Sequence, residues 1–195
     1  MTQPTRLIVA ITGASGAIYG LRALQMLRSL AVESHLVISR AAEQTLEHET
    51  GWKLPGVADL ADHVYAPEAV GAAIASGSFA TQGMLVAPCS IKTLSAIANS
   101  YTADLIARAA DVCLKEGRPL ALMVRETPLH LGHLRLMTAA AEMGAIIFPP
   151  VPAFYGGAQT VDELVSASVG RALARLGIEN YSYPQWIGDS EERSI

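Results

Sequence analysis

The turn Gly13-Ala14-Ser15-Gly16 lies between the apolar run Leu7–Thr12 and an Ala/Leu-rich stretch beginning at Ala17. Small residues between a strand and a helix let a ligand approach the backbone, and the free N–H groups and dipole of a helix start favour an anion. The spacing departs from G-x-G-x-x-G, and Ser39 stands after the second apolar run where a dinucleotide ribose needs an acid. A mononucleotide phosphate therefore suits this turn better than a dinucleotide, and a tight turn without any ligand is the alternative reading of the glycines. Pro88-Cys89-Ser90-Ile91-Lys92-Thr93 repeats the arrangement: Ser90 and Thr93 are spaced to cap a helix or to offer hydroxyls to a phosphate.

Arg125-Glu126 follows the apolar run Leu120–Val124, where a strand tip meets ligand and a guanidinium can grip phosphate or carboxylate with two parallel hydrogen bonds. Arg108 and Lys115 are seven residues apart and share a helix face, with Asp104 and Asp111 on or near that side. A solvated charged face explains that pattern equally well. His130 and His133 have metal-ligand spacing without a third ligand, and the group Glu47-His48-Glu49 reads by default as a helix end. Cys89 has no evident base beside it and reads as a small buried residue. Pro149-Pro150-Val151-Pro152 is a stiff exit that can aim Tyr155 back over a site, while Tyr181, Tyr183 and Trp186 suit packing, a subunit contact or an aromatic wall.

The elements that must position these residues alternate. Leu7–Thr12, Glu33–Ser39, Met84–Ala87, Leu120–Val124 and Ile146–Phe148 read as buried parallel strands. Ala17–Leu30, Ala41–Glu49, Ile91–Asn99, Ala103–Glu116, Leu131–Met143 and Val161–Leu176 read as crossover helices. The layout is a doubly wound α/β fold in three αβα layers. Residues 51–83, broken by Pro55, Pro67 and several glycines, read as irregular apart from a short strand near His63–Tyr65. In an open parallel sheet ligands bind beyond the carboxyl ends of the strands, which is where the hydroxyls, glycines and guanidinium collect.

With 195 residues the chain suits a single domain, 1–177, followed by an aromatic arm and polar tail, 178–195, in which Asp189–Arg193 is expected to fray. Hydrophobic residues make up 51% and charged residues 16%, so part of the apolar surface is expected to be buried between subunits. A formal net charge of -4 offers no footprint for nucleic acid, and no apolar stretch approaches the ~20 residues of a membrane span. The first residues do not resemble a signal peptide and the two cysteines do not suggest a disulfide scaffold, so a cytoplasmic location is expected.

Taken in order, Thr12-Gly13-Ala14-Ser15-Gly16-Ala17, Ser39-Arg40-Ala41-Ala42, Glu49-Thr50, Ser76-Gly77-Ser78, Pro88-Cys89-Ser90, Arg108-Ala109-Ala110-Asp111-Val112, Leu114-Lys115-Glu116, Val124-Arg125-Glu126, the segment Pro149 to Tyr155 and Trp186 resemble one family over nearly the whole chain: the UbiX/Pad flavin prenyltransferases, flavodoxin-like, Rossmann-like homo-oligomers. The resemblance implies that FMN is held by Gly13, Ala14, Ser15, Ser39, Ser90, Ile91, Lys92, Thr93 and Arg125, and that Arg108, Lys115, Tyr155 and Arg171 bind dimethylallyl monophosphate. It places Glu49, Ser15, Glu126, Lys115 and Trp186 in the chemistry, with Glu49 the first choice for moving protons. It further implies a metal-independent transfer of the prenyl group to N5 and C6 of reduced FMN, at sites between subunits of a dodecamer. The prenylated FMN then serves a separate UbiD-type decarboxylase in quinone synthesis or aromatic-acid breakdown.

Four positions depart from the family's pattern. Arg40 replaces an expected lysine, Lys92 stands where many relatives have a small residue, and Gly156-Gly157 replace bulkier polar residues and are expected to loosen the Tyr155 loop. The competing readings are an FMN-dependent decarboxylase of the cysteine-decarboxylase group and a non-catalytic flavin-binding subunit. The first typically relies on an early histidine, and the second has no need of Lys115, Glu49 or Arg171.

Overall fold

The computed structural model describes residues 4–186 and 188. Six strands form one parallel sheet: β1 (Arg6–Ile11), β2 (Glu33–Ile38), β3 (His63–Tyr65), β4 (Met84–Cys89), β5 (Leu120–Val124) and β6 (Ile146–Ile147). Their order is β3-β2-β1-β4-β5-β6. Without the short edge strand β3 this is the flavodoxin-like order, and its switch point lies between β1 and β4, where successive crossovers leave in opposite directions.

Residues alternate across the sheet, and both faces are covered. Leu7, Val9 and Ile11 of β1 face α1 (Ala17–Ser29), α2 (Arg40–Thr50) and α7 (Val161–Arg175), in a core that includes Leu24, Leu46 and Leu173. Ile8 and Ala10 face the opposite core, built with α4 (Ile91–Ala98), α5 (Leu105–Lys115) and α6 (Leu131–Glu142). Burial on both sides explains why the strands read as continuous apolar runs.

The strands and long helices fall within one or two residues of the sequence reading. Two differences have clear causes. Asp104 lies outside α5 and caps it, accepting a hydrogen bond from the Ala107 N–H at 2.9 Å, so it does not share a helical face with Arg108. Within 51–83 a one-turn helix, α3 (Leu54–Ala58), starts at the position where Pro55 is tolerated, because a proline in the first turn removes no helical hydrogen bond. The expected fraying of Asp189–Arg193 lies outside the described residues.

Several apolar side chains are left uncovered on one protomer. Leu131 and Leu134 of α6 are 60% and 47% exposed, Phe154 is 76% exposed, and only Ala140 of α6 is buried. Among the described residues, no helix is long and apolar enough to cross a membrane.

Candidate active site

At the carboxyl end of β1 the chain turns through Gly16, whose φ of 106° is open to glycine at little cost, and enters α1. No side chain of this turn caps the helix. Glu49, near the end of α2, does so from across the turn: its carboxylate accepts the Gly16 N–H at 2.7 Å and the Ala17 N–H at 3.1 Å. The anion at this helix start is therefore the protein's own, and a phosphate expected there must lie elsewhere along the edge. Burial by itself raises the Glu49 carboxyl, but the Ser15 hydroxyl, these two N–H groups and the Arg125 charge outweigh it and hold the group below its ordinary value. Glu49 is thus an ionised acceptor at neutral pH. Arg125 lies over Gly16, and with Ser15, Glu49, Trp52 and Val165 it lines an open cleft of about 460 Å³.

A second cleft, of about 520 Å³, adjoins the switch point and is lined by Gly13, Ser39, Arg40, Ser90, Lys92 and Thr93, among others. Ser39 caps α2, accepting from the Ala42 N–H, and Ser90 caps α4, accepting from the Thr93 N–H. Two helix starts, each with unpaired first-turn N–H groups, so flank one cavity of a size usual for small ligands, ~300–1,000 Å³. This pair is the better phosphate cradle.

Thr12 fixes the spacing of that cradle, a role that sequence reasoning missed. Fully buried, its hydroxyl donates to the Pro88 carbonyl at 2.7 Å and accepts from the Ser90 N–H at 2.8 Å, tying the ends of β1 and β4 together. The available signal was a hydroxyl residue ending an apolar strand next to a glycine turn.

The remaining candidates occupy two other places. Tyr155 and Arg171 line a smaller cavity of about 200 Å³ with Phe148, Tyr183 and Pro184. The Tyr155 hydroxyl donates to the Pro184 carbonyl at 3.3 Å, Trp186 meets the Tyr155 ring edge to face at 5.8 Å, and the Arg171 guanidinium lies 5.6 Å from the Tyr183 ring centre. At Gly156, one of the two glycines expected to loosen this turn, the C-terminal arm packs closely. A Cβ there would come within 2.5 Å of Pro184, so the missing side chain lets the arm press onto the Tyr155 turn.

Arg108 and Lys115 lie along α5 beside the loop Ser76-Gly77-Ser78. Arg108 donates to the Ala75 carbonyl and pairs with Asp111 at 3.0 Å, while Lys115 pairs with Glu116. Lys115 is ten positions on from Leu105, the first residue of α5, which carries it ~15 Å along the helix from the cleft. Glu126 accepts the N–H of Thr127 and makes no ion pair with Arg125 among the described residues. One chain therefore gathers the flavin-side candidates along one edge and divides the donor-side candidates between two other places.

Burial pushes the thiols of Cys89 and Cys113 up to about 12, which leaves neither a useful nucleophile at neutral pH. His130 caps α6 and lies against His133, their ring centres 3.6 Å apart. Glu33, His35 and His63, at the opposite end of the sheet, were not singled out from the sequence, and they cluster closely enough to suggest a metal. Arg6 already donates to the same Glu33 oxygen that receives His35, and the two imidazoles stack 4.7 Å apart with near-parallel planes. Both imidazoles direct Nε2 at that same oxygen, at 3.0 and 3.4 Å, and the Arg6 guanidinium beside it already supplies the positive charge, so the cluster reads as a hydrogen-bonded ion-pair network.

Comparison with known proteins gives a consistent set of likenesses. A family model described as Flavoprotein matches residues 1–173. The flavin prenyltransferase UbiX of Escherichia coli (strain K12) is 59% identical over 174 residues, covering 89% of this chain and 92% of that protein. Among solved structures, AnUbiX (PadA1) in complex with FMN and dimethylallyl pyrophosphate superposes with a TM-score of 0.93 at 47% identity, covering 95% of this chain and 99% of that one. The dodecameric FMN-dependent UbiX-like decarboxylase of Escherichia coli O157:H7 gives a TM-score of 0.91 at 48% identity, covering 94% and 100%.

Proposed function

The chain belongs to the flavoprotein family and, within it, to the UbiX-type flavin prenyltransferases, and from that premise we propose that it joins a dimethylallyl group to reduced FMN. The observation that carries this reading is the polar sheet edge, where a cavity between two serine-capped helix starts adjoins an ionised carboxylate, a hydroxyl and a guanidinium.

In this reading FMN is the acceptor substrate. Its phosphate lies between the starts of α2 and α4, near Ser39, Ser90, Ile91, Lys92 and Thr93, and its ring extends past Gly13, Ala14 and Ser15 towards Arg125. Dimethylallyl monophosphate is the donor, and Arg108, Lys115, Tyr155 and Arg171 hold it. Their charges stabilise the departing phosphate, more strongly as water is excluded. The prenyl C1′–O bond breaks with its electron pair going to the phosphate as C1′ bonds to flavin N5, which loses its proton; a proton added to C2′ of the prenyl double bond then leaves C3′ electron-poor, and C3′ bonds to flavin C6, which loses its own proton.

Glu49, held ionised, is suited to accept such a proton and not to supply one to the leaving phosphate. Ser15 orients it, and Glu126 serves as the second carboxylate, near the donor. Trp186 offers a π face to the positive charge that develops on the allyl group.

Lys115 lies at the far end of α5 from its own chain's flavin cleft, and apolar side chains of α6 are uncovered, so the site is completed by neighbouring subunits of a homododecamer. The flavin domain is 1–177 and the closing arm 178–195. The product passes to a UbiD-type decarboxylase in the cytoplasm.

Anaerobic incubation with reduced FMN and dimethylallyl monophosphate, followed by mass spectrometry of the extracted flavin, tests the reading. A flavin heavier by one prenyl unit is expected, and a parallel incubation with the diphosphate ranks the two donors. Unmodified flavin from both donors, with FMN bound, would overturn it in favour of a flavin carrier.

A further inference from the structure

The flavin cleft carries a charged pair that the proposed reaction does not use. Arg40, the first residue of α2, reaches away from the Ser39 cap and donates to Glu68 through two hydrogen bonds, Nε to Oε1 at 3.0 Å and Nη2 to Oε2 at 3.2 Å. Glu68 hangs from the facing wall, in a loop anchored to α5 where the Pro67 carbonyl accepts the Leu105 N–H at 2.8 Å. Both residues line the cavity between the starts of α2 and α4, so the pair spans it.

We propose that Arg40 is a phosphate-binding residue of this cleft, held in place by Glu68 until the FMN phosphate displaces that carboxylate. The inference rests on the flavin reading above and adds to it a residue selective for the phosphorylated form of the ligand. A planar guanidinium that fits a carboxylate fits two phosphate oxygens by the same fork, which a lysine at this position cannot do.

The exchange is favourable on three counts. The side chains of Arg40 and Glu68 are 69% and 61% exposed, and ion pairs so open to water contribute little. The incoming group is a dianion replacing a monoanion. It also meets the free N–H groups at the starts of α2 and α4, to which Glu68 makes no hydrogen bond. Of the other acids nearby, Asp104 is committed to capping α5, and Glu43, one turn along α2, meets Arg40 Nη1 at 3.6 Å without a hydrogen bond and so leaves the guanidinium fork to Glu68 or to phosphate.

Fluorescence titration of the purified protein with FMN and with riboflavin, which lacks the phosphate, tests the proposal in the wild type and in Arg40→Met, Arg40→Lys and Glu68→Gln. Arg40→Met should weaken FMN by about tenfold or more, the scale of a charged hydrogen-bonded contact, and leave riboflavin unchanged. Arg40→Lys should fall between, and Glu68→Gln should tighten FMN at low ionic strength, an effect that Arg40→Met abolishes. An unchanged ratio of FMN to riboflavin affinity in Arg40→Met, or weaker FMN binding in Glu68→Gln, would overturn the proposal. A wild-type protein that binds neither flavin would instead overturn the flavin reading on which it rests.

Discussion

The carboxyl edge of β1 and β4 and the outer stretch of α5 carry comparable chemistry in opposite states of completion. At the edge, Glu49 already has its hydrogen-bond donors, Ser39 and Ser90 already cap their helices, and Thr12 fixes the distance between the strand ends. On α5, the ion pairs of Arg108 and Lys115 among the described residues are with the acids beside them, Asp111 and Glu116. In the proposed reading the first region is a preorganised site within one chain, and the second is a set of cations that a neighbour completes.

The largest effect should come from separating the subunits. Leu131→Glu combined with Leu134→Glu charges the uncovered face of α6 and should abolish prenyl transfer, with smaller particles in sedimentation and an unchanged circular dichroism spectrum. A dodecamer that persists with full activity would show that this face is not the contact. Within an intact assembly, Glu49→Gln should lower turnover by about 10²–10⁴-fold, the usual contribution of a positioned base, while FMN still binds. Lys115→Met should cost about 10²–10³-fold and act on use of the donor, leaving flavin affinity as it was. Equal loss of flavin binding in both variants would erase the distinction between the two regions.

Gly156→Ala should have a milder effect. A methyl group there displaces Pro184 and with it the arm, so the KM for the donor should rise several-fold and Trp186 emission should change as its edge-to-face contact with Tyr155 is lost. Unchanged emission would mean that the arm does not rest on Gly156.

The smallest expected effect lies at the far end of the sheet. Burial lowers the His35 pKa from its usual 6.5, with the neighbouring His63 and Arg6 charges adding to the effect and Glu33 opposing it. The unfolded chain therefore takes up this proton more readily than the folded one. Stability from this source is complete above pH 6.5 and is lost as the pH falls through that value towards the folded pKa. Urea midpoints measured from pH 7.5 to 5 should fall less steeply in His35→Gln than in the wild type, and identical slopes would remove His35 from the account.

The same contrast decides how much was legible in the sequence. The strands and the turns after them are local, and each apolar run ending in Thr12-Gly13, Ser39 or Ser90 announces both its element and its edge. The capping of α1 by Glu49 is not local, because it joins residues 33 apart through the way α2 returns past the first turn. Glu49 reads alone as a helix-end acid, and only the resemblance drew it into the site. The Arg40–Glu68 pair depends in the same way on where the 66–70 loop lies. No spacing rule places Lys115 near a flavin, since it stands at the far end of α5 from the cleft of its own chain.

Subunit complementation tests the division of the site most directly. Glu49→Gln and Lys115→Met, each nearly inactive alone, are dissociated, mixed, reassembled and assayed by the mass of the extracted flavin. Sites that draw Glu49 from one subunit and Lys115 from its neighbour should regain prenylated product well above either parent. Product no greater than the average of the two parents would show that one chain supplies both residues and would contradict the account.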